Sequence, residues 1–308
     1  MSACTHRILL FFLLILSPHL QGSCGKCQSL HDTVGRPSEA LLQILSLFGV
    51  CHDGSWKCIQ EATEKAWLSH GRGTERWELE PIKDFTPEKT YASFTSLEMT
   101  QTLFAEKMYY DYGVVLGATV QTVRQRFWFL KAEWERGVRF PILVILTGDR
   151  PLDPTVESEK ALIDPTNSPY PFRAGWCWDK ELPQNETEMM RLVFDQLALP
   201  EAWRAMPVLF VDTPQPSGLK RPHTEHTLHH WLAMHPTPGS LLIVSNQPFV
   251  CRQNALLRLH MPPSFEMETV GEGFSFNAFN QEQRATAVLL AELAYWIKLH
   301  LQESLRSF

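Results

Sequence analysis

The chain has 308 residues, 44% of them hydrophobic and 20% charged, with a formal net charge of −6. That length and balance suit a globular protein with a sizeable core, in one large domain or two small ones. With no Lys/Arg run and no basic amphipathic face, a nucleic-acid polymer is not expected as a partner.

His6 and Arg7 precede the apolar run ILLFFLLIL at 8–16, which is followed by Ser17, Pro18, Gly22 and Ser23. The run has the length of a secretory signal's apolar region and falls well short of the ~20 residues that span a bilayer. A signal peptide over 1–23 and export to the periplasm or cell envelope are therefore expected. Cleavage after Gly22, Ser23 or Gly25, lipidation of Cys24, and a retained anchor all stay open, the last two giving a membrane tether. Beyond Cys4, six cysteines remain: Cys24, Cys27, Cys51, Cys58, Cys177 and Cys251. In an oxidising compartment Cys51 and Cys58 are the easiest pair to close, because a short loop separates them. CGKC at 24–27 has redox-motif spacing but leads into no βαβ unit, so it is not expected to be a catalytic dithiol.

Helical periodicity covers 38–48 and 54–68, with Ser38 and Ser55 as caps, and a third helix is expected over about 93–108. Together they make an N-terminal helical layer across 24–110. From Tyr112 the pattern changes to short apolar runs, YGVVLG, FPILVILTG, MPVLFVD and SLLIVSN, each ending in glycine or a small polar residue. Helical segments at 119–136, 186–198, 224–235 and 248–260 separate or follow them, FEMETV at 265–270 reads as a fifth strand, and 280–303 as a long closing helix. Strands buried on both faces and alternating with helices predict an α/β fold, a parallel sheet with helices on both faces over 111–308. A Pro-rich insertion at 150–185 exceeds ordinary loop length, as a lid or binding surface does.

In such a sheet the ligand crevice lies beyond the carboxyl ends of the strands, near helix N-termini. Those ends supply Gly117, Ala118 and Thr119; Thr147, Gly148, Asp149 and Arg150; Asp212 and Thr213; and Ser245, Asn246 and Gln247. Gly117 and Gly148 permit close backbone approach, although glycine after a strand more often serves the turn itself. Thr119 and Ser245 can cap the next helix while donating to an anion. No Walker loop or full dinucleotide glycine pattern is present. The stretch RPHTEHTLHHWLAMH at 221–235 is rich in histidine, but Glu225 precedes His226 where an HExxH zinc helix needs the glutamate after the histidine. These histidines read as surface or capping groups, and no metal ligand is assigned. A zinc enzyme using His226 and His230 is the competing reading.

The same segments resemble the YdcF/SanA/ElyC family of bacterial envelope-associated proteins. A strand ending in LG and an arginine on the next helix are matched by Gly117 and Arg126, with TGD, containing Asp149, where SGG is common. A glutamate near the start of a later helix is matched by Glu188. The T.EN motif falls on Thr224, Glu225, His226 and Thr227, and a closing strand with Ser/Thr and then Arg is matched by Ser245 and Arg252. The match covers about 111–262; it departs where His226 replaces Asn, Phe249 stands near an expected His, and Pro-rich insertions follow Arg150 and Asp212.

The resemblance implies a Rossmann-like domain with a polar, partly cationic pocket for a small anionic ligand, phosphate-bearing or nucleotide-like, in cell-envelope metabolism. Arg126 and Arg252 are the expected anion clamps, since a guanidinium grips phosphate or carboxylate with two bonds. Glu188 and Glu225 are expected to orient them or bind hydroxyls, and Thr224 joins the ligand-binding set. Alternatively, Arg126 and Glu188 form a structural ion pair beneath the crevice. Whether there is turnover stays open; for transferase or hydrolase chemistry, Glu225 or Asp149 would be the general base or a metal-binding carboxylate. A non-catalytic envelope scaffold, presenting Trp176 and Trp178 from the 150–185 loop, is the other class of function.

Overall fold

The computed structural model describes residues 23–24, 30–68, 76–82, 87–274 and 282–306. The expected signal peptide, apart from the backbone of Ser23, and Cys27 lie outside these residues.

The chain enters through β1 (Ser23–Cys24), α1 (Glu39–Leu47) and α2 (Trp56–Trp67). Ser38 and Ser55 cap the two helices, their hydroxyls accepting from Leu41 N (3.3 Å) and Cys58 N (3.2 Å). Each cap satisfies one of the helix's otherwise unbonded amides. The third helix begins and ends earlier than expected, as α3 (Pro87–Thr95). Met99 N donates to Phe94 O (3.1 Å) and Gln101 Nε2 to Thr95 O (3.0 Å). Those bonds close the helix end, so the apolar residues after it leave the helical path and Leu103–Phe104 form β2.

The central elements follow as β3 (Tyr112–Leu116), α4 (Val120–Arg136), β4 (Ile142–Gly148), α5 (Glu159–Ile163), α6 (Glu186–Gln196), α7 (Glu201–Ala205) and β5 (Val208–Thr213). The chain continues through α8 (Thr224–Leu232), β6 (Ser240–Asn246), α9 (Val250–His260), β7 (Glu266–Glu272) and α10 (Glu282–Arg306). The seven-stranded sheet has the order β1-β2-β7-β6-β3-β4-β5. From β7 to β5 every neighbouring pair is parallel, and β2 meets β7 antiparallel. The fold is α/β and Rossmann-like. β5 is an edge strand, which is why Leu209 within its apolar run remains exposed.

On one face of the sheet α4 and α6 pack Val123, Phe127, Leu130, Met189 and Val193 into a core with Val115, Ile145 and Val244. On the other, Leu228 and Trp231 of α8 and Leu257 of α9 meet Val114, Leu116 and Ile243. α10 lies against α9 and α2. Its Leu289, Leu293 and Ile297 share a core with Leu41, Ile44 and Ile59 of the N-terminal helices. Among the described residues no helix is long and apolar enough to cross a membrane.

Cys51 and Cys58, the easiest pair to close, do not pair. Cys51 precedes the Ser55 cap and Cys58 sits in the first turn of α2; both are free thiols, as is Cys177, whereas Cys251 is disulfide-bonded.

The 150–185 insertion is tied down at several points. The buried Arg124 of α4 donates to Ala161 O (2.8 Å), Leu162 O (2.7 Å) and the Gln196 Oε1 (3.0 and 2.7 Å), and Gln196 Nε2 returns a bond to Leu162 O (2.8 Å). Further on, Tyr170 packs on Trp128 of α4 and its hydroxyl reaches Glu272 at the end of β7 (3.4 Å). Trp176 and Trp178 are half-buried against the α4/α6 core, with Trp176 Nε1 bonded to Asp195 (3.1 Å). They pin the insertion to that core while keeping part of each ring at the surface.

Candidate functional site

The sheet order places the site. β3 lies in the middle; the chain moves out to β4 and β5 on one side, then returns to lay β6 and β7 on the other. The order reverses between β3 and β6, and their connections leave in opposite directions, opening a crevice beyond their carboxyl ends.

Arg126 fills the floor of this switch point. It is 2% exposed. Its Nη1 donates to the carbonyls of Leu116 (2.8 Å) and Gly117 (2.7 Å) at the end of β3, and its Nε to Asn246 Oδ1 (3.0 Å) at the end of β6. One guanidinium thus ties the two diverging strands together. Nη2 makes no hydrogen bond to a described residue. Burial, with repulsion from Arg252 and against the pull of Glu186, lowers the Arg126 pKa to about 9, so it stays charged at neutral pH. No carboxylate bonds to it among the described residues; the expected Arg126–Glu188 pair is not formed.

The glutamate that reaches the crevice is Glu186, the first residue of α6. It is 8% exposed. Its Oε1 lies 2.7 Å from where a Cβ on Gly117 would stand. Its nearest ionic contact is loose, 4.0 Å from Oε2 to Arg150 Nε, and its carboxylate accepts no hydrogen bond from a described residue. Desolvation raises its pKa to about 7, with Arg150 and Arg221 the main opposing charges. Arg150 itself is committed elsewhere: buried, it grips Glu157 with two bonds (2.7 and 2.8 Å).

Above these groups stands the N-terminus of α4. Thr119 occupies the cap position but makes no capping bond; its hydroxyl only approaches that of Thr122 at 3.4 Å. The first amides of this 17-residue helix therefore have no side-chain acceptor, the usual setting for an anion.

Of the residues expected at the site, Gly117, Thr119 and Arg126 converge at this point, and the others are employed differently. Gly148 makes room for Pro222 rather than for a ligand: a Cβ there would lie 2.7 Å from Pro222 Cγ. Ser245 is buried and donates to Gln253 Oε1 instead of capping α9, whose cap position is Phe249. Glu188 is exposed and accepts from Gln184 N (2.8 Å), completing the α6 cap begun by Asn185. Arg252 is paired with Glu292 of α10, which Arg76 also grips. Its charge is still felt by Arg126, and its Nε is committed to the bridge with Glu292.

Neither of the two carboxylates expected to be catalytic bonds to Arg126 among the described residues. Asp149 is exposed, bonded through its backbone N–H to Thr213 O (2.8 Å). Glu225, beside Thr224 in the first turn of α8, faces His226 (3.9 Å) and His260 (3.6 Å). In the histidine run, His223 N donates to His226 Nδ1 (3.1 Å) at the helix start and His229 packs edge-on against His260. Among the described residues no three His, Cys, Asp or Glu side chains are grouped to hold a metal.

Sequence reasoning missed Glu186, Asn246 as the Arg126 partner, and the Arg150–Glu157 pair. One signal was available for the first. Asn185 with Glu188 three residues on is a capping-box pattern, which assigns Glu188 to the helix end and frees Glu186.

No protein-family model matches the chain, no curated protein does, and no solved structure does.

Proposed function

We propose that the protein binds a small anionic ligand, phosphate-bearing or nucleotide-like, at the β3/β6 switch point, and that it is an exported, envelope-associated protein of the YdcF/SanA/ElyC type. The carrying observation is Arg126: a guanidinium 2% exposed, held in place by two carbonyls and an amide, with Nη2 unbonded and no carboxylate bonded to it among the described residues. Burying a cation without a bonded counter-ion is costly, and an anion seated against Nη2 and the α4 N-terminus offsets that cost. The apolar run at 8–16 and the disulfide at Cys251 support export, because structural disulfides persist in oxidising compartments. Lipidation of Cys24 or an uncleaved leader would add a membrane tether. For transfer or hydrolysis on the bound ligand, Glu186 is the better-placed acid or base than Glu225 or Asp149, because it is buried beside the crevice and titrates near neutrality.

Native mass spectrometry of the purified mature chain tests this reading. A phosphate-bearing small molecule is expected to stay with the wild type and to be lost from Arg126→Lys, which keeps the charge but lacks the planar fork. Thermal melting reports whether that variant remains folded. An empty wild-type site that also fails to bind added inorganic phosphate, or equal retention by folded Arg126→Lys, would defeat the proposal.

A further inference from the structure

We propose that Glu186 meets the crevice's anion as a neutral acid: capturing the ligand takes up a proton from solvent, and the protonated carboxyl then donates to a ligand oxygen. This rests on the anion-binding reading above and adds the chemical state of the site.

The geometry leaves little alternative. An anion that reaches Arg126 must sit by Gly117, whose carbonyl receives Arg126 Nη1, and the Glu186 carboxylate already occupies the space over the Gly117 Cα. A ligand there is a neighbour of Glu186. An ionised carboxylate beside an anion in a desolvated crevice is repelled, and the repulsion is relieved when the carboxylate binds a proton. Once neutral it has an O–H to give, and nothing among the described residues accepts one from it.

The charges around Glu186 are set so that either state is within reach. Arg150 faces it from the end of β4, Arg221 from the segment before α8 and Arg126 from α4, all favouring the anion; Glu157 and burial oppose them. Arg150 is largely neutralised by Glu157, and Arg252, which acts on Arg126, by Glu292. The outcome is a carboxyl whose pKa sits at about 7 before ligand arrives. A bound anion can only push it upward. Below neutrality Glu186 is already protonated and binding moves no proton; above it, binding must recruit one, so affinity falls as pH rises. For a single linked proton that fall approaches tenfold per pH unit. The site is thereby selective for ligands with an acceptor oxygen beside the one held by Arg126, as phosphoryl, sulfuryl and carboxylate groups have.

Titration calorimetry of the mature chain with inorganic sulfate, which does not itself titrate near neutrality, reads both halves. At about pH 8, heats measured in Tris and in HEPES should differ by the amount that uptake of up to one proton requires, and affinity should weaken by up to about tenfold per unit between pH 7 and 9. Glu186→Gln, which carries a permanent donor in the same place, should abolish the buffer dependence and flatten the pH profile. Sulfate binding without proton uptake, or uptake that persists in Glu186→Gln, overturns the proposal and leaves the binding site standing. Failure of the wild type to bind sulfate and inorganic phosphate at any pH from 6 to 9 overturns the site itself, and this proposal with it.

Discussion

The Glu186 carboxylate occupies the place a side chain on Gly117 would take, with Oε1 2.7 Å from the Cβ position and the Leu146 carbonyl oxygen 3.1 Å from it on another side. Glycine at the end of β3 is thus required by a neighbour rather than by the backbone turn, and the vacancy it leaves is what admits a carboxyl to the crevice.

Gly117→Ala should accordingly disturb the site more than the fold. The Leu146 oxygen is backbone and cannot yield freely, so the methyl must displace Glu186, at a cost of about 1–3 kcal/mol of stability. The expected result is a modest drop in melting temperature together with a large loss of sulfate affinity. A variant with wild-type affinity would show that Glu186 does not border the bound anion.

Arg150 and Glu157 form a buried, doubly bonded pair that closes the first turn of the 150–185 insertion, where Glu157 also accepts from Asp153 N (3.0 Å). Removing one partner strands the other charge out of water, and Glu157→Ala should cost about 3–5 kcal/mol in urea unfolding. The double replacement Arg150→Met with Glu157→Met should cost less than Glu157→Ala alone, because it leaves no lone charge behind. The reverse order would mean that the pair's attraction outweighs its desolvation.

Two buried carboxyls should bend the stability of the protein against pH in opposite directions. Burial raises Glu186 to about 7. A carboxyl raised on folding stabilises the native state most below its unfolded value of about 4.3, and that contribution drains away as pH climbs through 7, by about 4 kcal/mol in all. Glu292 behaves inversely: burial would raise it, but Arg252 and Arg76 outweigh burial and hold it below the ordinary carboxylate range. Its contribution is present above about pH 4.3 and is lost as pH falls through the depressed value. Urea unfolding at intervals from pH 3 to 8 should show Glu186→Gln without the decline between pH 5 and 7. Glu292→Gln should lose the steep acid limb and be weaker at neutrality. A Glu186→Gln curve parallel to wild type would place that carboxyl's titration outside this window.

The elements between Tyr112 and Glu272 were legible because strands buried on both faces need unbroken apolar runs, and VVL, ILVIL and LLIV each lie within a strand of the parallel sheet. The direction of those strands followed from the helices between them, and their ends named Gly117 and Thr119 without any motif. Less was legible where a residue's partner is far away in the chain. Nothing near Arg252 announces Glu292, forty residues on, and without that partner the arginine reads as a free clamp. Arg124 and Arg126 show the same limit: two positions apart on one helix, one is spent on the insertion's carbonyls and the other on the switch point. The third helix was placed too late because Leu97, Met99, Leu103 and Phe104 continue an apolar pattern that the chain uses for a turn and a short strand. Glu186 and Glu188 were separable in principle, since an Asn-x-x-Glu cap claims the second.

The last helix carries a consequence for anyone shortening this chain. Leu289, Leu293 and Ile297 are covered by side chains that come from before residue 60, so the C-terminal helix and the N-terminal helices complete each other's interior although about 240 residues of sequence lie between them. Trimming the leading helices to isolate the sheet would strip a greasy stripe bare along the terminal helix, and the trimmed product would meet its neighbours through that stripe before it met any ligand.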